Sequence, residues 1–207
     1  MRRPRLGIIP GDPSGIGPEL IAKLLQEPAV LAQADVLLIG DAHLWEGGAK
    51  QAGLPLHLKT IDEANLSTGF ALAHLDLATI AAEDVQIATV TQASGNSALR
   101  CLDKALDLGQ SNTIDGILFA PFNKAALTLA GLNAEDEHRY MARYLGFEGY
   151  HSEINVLDAL MTTRVTSHIG LKDVAANIDQ PAVMRAVDLA YSTLKKSGKT
   201  RPHVAVA

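Results

Sequence analysis

The sequence predicts an α/β fold, with a sheet covered on both faces by helices. Three observations carry that prediction. Short apolar runs alternate with amphipathic segments from one end of the chain to the other. Gly- and Pro-marked turns punctuate the alternation. The 207 residues, 47% apolar and 20% charged and without a low-complexity tract, suffice for a sizeable core.

In chain order, the run Leu6–Pro10 reads as a strand that passes through "GDPSGIG" into a helix near Pro18–Gln26. Strand Val36–Gly40 leads to helix Ala42–Ala52, and Leu54–Leu58 and Phe70–Leu75 read as two further strands. Helix Asn96–Leu108 sets Leu99, Leu102 and Leu106 at helical spacing, which places Cys101 in a packing role. Strand Gly116–Ala120 precedes helices Lys124–Ala130 and Glu137–Leu145, the second with Met141, Tyr144 and Leu145 on its inner face. Ile154–Leu160 and Arg164–Ser167 read as strands. Helix Pro181–Lys196 follows, with Pro181 in its first turn and Gly198 at its stop. The last segment, His203–Ala207, reads as a strand in which the chain stops, which predicts a fragment of a longer protein.

Charge and cysteine content narrow the partners. A net charge of −5, with no Lys/Arg cluster beyond Lys195-Lys196 and the N-terminal arginines, argues against nucleic acid and for small molecules. No apolar run reaches the roughly 18 residues of a membrane span, and the apolar stretch at the N-terminus is too short for a signal peptide. One cysteine forms no internal disulfide, so a cytoplasmic location is expected.

Four stretches could carry chemistry. In "IIPGDPSGIGPEL", Gly11, Gly15 and Gly17 follow a strand and open a helix. The spacing G-x-x-x-G-x-G is neither a dinucleotide fingerprint nor a P-loop. A tight structural turn and a ligand-facing loop both fit, and in the second Asp12 faces the ligand. In "ILFAPFNKAAL", Asn123 and Lys124 stand at the carboxyl end of a strand, where open α/β sheets bind ligands; Lys124 can hold a phosphate or carboxylate or be a solvated helix-start lysine. In "AEDEHRYMARYLG", His138 and Arg139 lie at a helix N-terminus suited to an anion, unless Arg139 only pairs with the neighbouring acids. In "TTRVTSHIGLKDVA", His168 ends a β-run as a metal ligand, a general acid/base or a structural histidine. His43, His57, His74, His151 and His203 have no companion at metal-binding spacing.

Taken in order, "PGDPSGIGPE", "APFNKAAL" with "AGL", the histidine of "DEHR", "TSHIGLKDVA" and "RPHVAVA" resemble the 4-hydroxythreonine-4-phosphate dehydrogenases, the PdxA-like oxidoreductases, across essentially the whole chain. The resemblance implies an isocitrate/isopropylmalate dehydrogenase-like α/β/α sandwich, here truncated before its C-terminal segments. Residues from about 1 to 120 then form part of the first α/β domain and about 121 to 207 a substrate and dimerisation part. It implies a homodimer that oxidises a secondary alcohol of a phosphorylated hydroxy acid with NAD while a divalent metal (Zn, Mg or Mn) holds the substrate's oxygens, decarboxylation following. By position, Lys124 and His168 match catalytic residues, His168 being the first metal histidine, and His138 matches a substrate-binding histidine. The resemblance assigns no NAD-contacting residue.

Two departures bear on substrate. Where the family has Gly-His-Thr-Glu this chain has Glu137-His138-Arg139-Tyr140, and Asn123 replaces a histidine. A guanidinium in place of a threonine adds a fixed positive fork for a carboxylate or phosphate, which favours a paralogue acting on a phosphothreonate or phosphoerythronate. The family's second and third metal histidines follow a strand like "HVAVA" and are not in these 207 residues, so the chain alone is expected to be inactive. An aryl dihydrodiol dehydrogenase and a non-catalytic anion-binding remnant of the fold are the competing readings.

Overall fold

A computed structural model describes residues 2–66, 69–134 and 136–207. The chain forms two compact units, Met1–Gly146 and Phe147–Ala207.

The first unit is built on strands β1 (Arg5–Ile9), β2 (Asp35–Ile39), β3 (Leu72–Leu75) and β4 (Gly116–Phe119). They form one parallel sheet in the order β3-β2-β1-β4. Helices α1 (Gly17–Leu24), α2 (Pro28–Gln33), α3 (Ala42–Ala52), α4 (Gln92–Gln110), α5 (Lys124–Leu129) and α6 (Glu137–Tyr144) complete it. Strand residues alternate between two cores because successive side chains leave opposite faces. Ile9, Leu37 and Ile39 pack with Cys101, Leu102, Ala105 and Leu106 of α4. Ile8, Val36 and Leu38 pack with Ile21 of α1 and Trp45 of α3. Helices therefore cover both faces, as the alternation of apolar runs predicts.

Differences from the expected elements have local causes. Helix α2 was missing from the sequence expectation; Pro28 opens it at a position where the ring's fixed φ suits a first turn. Helix α4 begins before Asn96, because the Thr91 side chain caps it by accepting the Ser94 N–H at 3.0 Å. Leu54–Leu58 is not a strand. Leu56 and Leu58 lean on the α1/α3 side of the core, and ladder bonding begins only beyond them, where Lys59 and Ile61 bond His74 and Thr60 bridges to it. Pro55 lacks the N–H a ladder needs.

In the second unit the expected strand Ile154–Leu160 is a hairpin of β5 (Asn155–Leu157) and β6 (Leu160–Thr162), turned at Asp158 with φ 34°. Arg164–Ser167 and His203–Ala207 are not strands. Neither joins a ladder in the structure, and an apolar run that joins none is not a strand whatever its pattern. The 17-residue helix α7 (Gln180–Lys196) is capped by Asp179, which accepts the Ala182 N–H at 2.7 Å. Among the described residues, no helix is long and apolar enough to cross a membrane.

Candidate functional site

The carboxyl ends of four parallel strands share one edge, where an open α/β sheet presents its loops to ligands. The loop after β1 is pressed against the loop after β4. Gly11, at φ +72°, would with a Cβ come within 2.4 Å of the carbonyl oxygens of Ala120 and Pro121, and the Asp12 N–H donates to Pro121 O at 3.0 Å. At Gly17 a Cβ would lie 2.0 Å from Pro10 O. These two glycines serve backbone packing, as a tight strand-to-helix turn requires. Asp12 is buried, and its Oδ1 accepts the Ser14 N–H at 2.9 Å, closing the turn from within. Behind it runs a hydroxyl chain: Thr91 Oγ1 donates to Ser94 Oγ at 2.9 Å, and Ser94 Oγ shares a 2.6 Å bond with Ser14 Oγ.

Asn123 caps α5 by accepting the Ala126 N–H at 3.2 Å, and exposed Lys124 is the first residue of that helix. Asp12 and Lys124 thus belong to adjoining loops at one sheet edge, and Phe119 and Phe122 stack beside Lys124's loop with ring centroids 5.1 Å apart.

Asp136 organises the third stretch. Only 4% exposed, it caps α6 by accepting the Arg139 N–H on Oδ1 at 2.9 Å. His138 Nδ1 lies 3.0 Å from the same oxygen, and Arg139 Nε lies 4.0 Å from Oδ2. One buried carboxylate therefore holds a histidine and an arginine at a helix N-terminus. The inner face of α6 is not as expected: Tyr140 and Met141 reach the core, whereas Leu145 is exposed. Tyr140 OH donates to Asp103 Oδ1 at 2.5 Å and Tyr144 OH to Asp107 Oδ1 at 2.9 Å. Burial pushes the Asp103 carboxyl above the usual range, against the lowering effect of Tyr140's bond. Burial and then the bond to Asp103 push the Tyr140 phenol up; burial and then Asp107 push Tyr144 up to about 12.

His168 lies in the second unit, outside any strand, with the left-handed φ of 57° that non-glycine residues rarely adopt. Among the described residues no group of three His, Cys, Asp or Glu side chains could hold a metal ion. The described residues therefore do not fit a complete metal site.

The residues that sequence reading missed act behind these loops. Asp41, buried after β2, accepts Thr79 N–H, Thr79 Oγ1–H and Ile80 N–H at 2.7–2.8 Å and so pins the loop after β3. His74 is buried, with Nε2 2.6 Å from Gly40 O and Nδ1 3.1 Å from Thr60 Oγ1. A cavity of about 520 Å³ at the carboxyl end of β3 is lined in part by Asp62, Asp76, Arg100, Asp103, Lys104 and Asp107. For the Tyr140–Asp103 and Tyr144–Asp107 pairs the sequence signal was the matched spacing, four residues apart in both helices.

Residues 32–207 match the family described as pyridoxal phosphate biosynthetic protein PdxA. The chain belongs to this family. It is 37% identical over 208 residues to a Rhizobium meliloti (strain 1021) protein provisionally named 4-hydroxythreonine-4-phosphate dehydrogenase 2, covering 100% of this chain and 60% of that protein. It is 34% identical to the D-threonate 4-phosphate dehydrogenase of Cupriavidus necator, covering 98% of this chain and 61% of that one. The crystal structure of a 4-hydroxythreonine-4-phosphate dehydrogenase from Burkholderia phymatum superposes with a TM-score of 0.84 at 30% identity, covering 98% of this chain and 62% of that one. This PdxA-family chain thus spans about 60% of the length of the curated relatives it matches.

Proposed function

We propose that the protein is an NAD- and divalent-metal-dependent dehydrogenase that oxidises the secondary alcohol of a phosphorylated hydroxy acid, with loss of carbon dioxide following for a 3-oxo acid product. The observation that carries this reading is the family match over residues 32–207, joined to relatives named as dehydrogenases of 4-phosphorylated substrates. Arg139 beside His138 favours a phosphothreonate- or phosphoerythronate-type substrate, and the name of the Cupriavidus relative points the same way.

In this reading His138 and Arg139, gathered by Asp136, bind the anionic group, with the guanidinium supplying a fork of donors. Lys124 places a point charge at the sheet edge, and Asp12 lies in the adjoining loop with one carboxylate oxygen already held by its turn. Oxidation removes a hydride from carbon and a proton from the hydroxyl; NAD is the hydride acceptor. His168 is read as one metal ligand, the others lying in the part of the relatives' length that this chain does not span. The described residues do not by themselves complete the metal's site.

The same reading takes the first unit as part of an isocitrate/isopropylmalate dehydrogenase-like α/β/α sandwich. Residues up to about 120 belong to the first domain and the rest to a substrate and dimerisation part of a cytoplasmic homodimer. The test is NAD reduction by the full-length protein, followed by absorbance, with Mg²⁺, Mn²⁺ or Zn²⁺ against 4-phosphohydroxythreonine, phosphothreonate and phosphoerythronate. Metal-dependent reduction with one of these names the substrate. Silence from a folded, metal-loaded dimer overturns the reading in favour of a dihydrodiol dehydrogenase or a non-catalytic module.

A further inference from the structure

Helix α6 carries His138 and Arg139, yet none of its residues whose side chains are described from Glu137 to Tyr144 is buried. Left-handed glycines bracket it, Gly131 at φ 89° and Gly146 at φ 62°. Its attachment to the first unit is concentrated on one face. Tyr140 and Met141 lean on the α4 side of the core, and the two phenols of Tyr140 and Tyr144 reach the carboxylates of Asp103 and Asp107 on α4. The donors are one helical turn apart, and so are the acceptors, so both bonds are made in a single register of α6 on α4. The tyrosine rings lie 6.1 Å apart and brace each other. Hydrogen bonds to an ionised carboxylate are short and strong, and two of them on an otherwise half-exposed helix dominate its placement. At the other end of the same helix, Asp136 ties His138 and Arg139 to the first turn, so whatever fixes the helix also fixes them.

We propose that Tyr140 and Tyr144, through Asp103 and Asp107, are positioning residues that set where His138 and Arg139 present their donors, and so tune affinity for the substrate's anionic group. This rests on the reading of His138 and Arg139 as substrate-binding. The clamp acts on binding and leaves the reacting atoms untouched.

The test uses the full-length protein, with steady-state kinetics on whichever phosphorylated hydroxy acid it oxidises and calorimetric binding of inorganic phosphate as a readout independent of turnover. Tyr140→Phe is expected to raise KM and the phosphate Kd about tenfold with kcat within about twofold, the scale of one charge-assisted hydrogen bond. Asp103→Asn keeps a carbonyl that accepts from Tyr140 and is expected to stay within about threefold of the unaltered protein, whereas Asp103→Leu reproduces Tyr140→Phe. The Tyr140→Phe/Asp103→Leu double variant is expected to be no worse than either single one. Tyr144→Phe, at the exposed end of the helix, gives the same readout if Tyr140→Phe does not fold. His138→Ala and Arg139→Ala separate the two failures. If these weaken binding while the tyrosine variants lower only Tm, the clamp is structural and the proposal falls. If His138→Ala and Arg139→Ala change neither KM nor phosphate affinity, or the unaltered protein binds neither phosphate nor substrate, the reading beneath it falls too.

Discussion

The two units of the chain have comparable apolar patterning and very different interiors. Residues up to Gly146 bury β1, β2 and β3 between α4 on one face and α1 with α3 on the other, down to a fully buried Trp45, while β4 at the sheet edge leaves Leu118 and Phe119 exposed. From Phe147 onward only Ala182 and Ala186 are buried, while Val156, Leu157, Leu160 and Leu171 are exposed, Leu171 at 90%. The lesson is that an apolar run becomes a strand only where another backbone lies alongside it. Four runs of the first unit find parallel neighbours; in the second unit only β5 and β6 find each other.

The comparison is sharpest where backbone meets backbone. Gly17→Val in the first unit is expected to abolish folding as judged by circular dichroism and solubility, since the Cβ alone would sit 2.0 Å from a carbonyl oxygen. Gly170→Ala in the second unit meets only the end of the Asp173 side chain, at 3.1 Å, and is expected to cost less than about 1 kcal/mol. Equal losses from both would erase the distinction between the units. For catalysis the ranking reverses. His168→Ala is expected to abolish metal-dependent turnover of the full-length protein, whereas urea unfolding of the 207-residue chain, in which His168 is exposed, is expected to shift by less than about 1 kcal/mol. Retained turnover with unchanged metal affinity would remove His168 from the site.

Next come the core side chains. Leu102→Ala, 1% exposed between α4 and the sheet, is expected to cost about 2–5 kcal/mol, against less than about 0.5 kcal/mol for Leu160→Ala at 57% exposure, both read by denaturant unfolding. Arg139→Thr removes the guanidinium and is expected to raise KM for a phosphorylated substrate by about tenfold; an unchanged KM makes Arg139 a surface residue. The smallest signal is chemical. Burial and then the charge of Asp41 push the Cys101 thiol up to about 12, so almost no thiolate exists at pH 8. Thiol labelling is then expected to be silent in the native state and to rise only with unfolding of the first unit across a urea series.

Much of the first unit was legible. The runs around β1, β2, β3 and β4 were apolar on both faces and each led toward a helix, which is the pattern of a parallel sheet covered twice. The same criterion failed at 54–58, 164–167 and 203–207, because periodicity reports which side chains seek burial and is silent on whether a partner strand exists. Within the candidate site, Asp12, Lys124, His138 and Arg139 stood out as residue types at turns and helix starts. Asp41 and Asp103 did not, because each matters for a partner at least 37 residues away, Asp41 for Thr79 and Asp103 for Tyr140; the bond from Ser94 to Ser14 is likewise out of local range.

By itself, then, the amino-acid sequence determined what is local: the alternation of strand and helix, the caps at Thr91, Asp136 and Asp179, and the tight turn that Gly11 and Gly17 permit. Its ordered motifs also pointed to the family. Tertiary structure alone decided which apolar runs became strands, that Gly11 of the opening loop is pressed against the Ala120-Pro121 backbone, and that two tyrosines of α6 meet two aspartates of α4. The physical reason is range. Propensity and capping act over a few residues, whereas ladder pairing, close backbone approach and inter-helix hydrogen bonds need partners that only folding brings within about 3 Å.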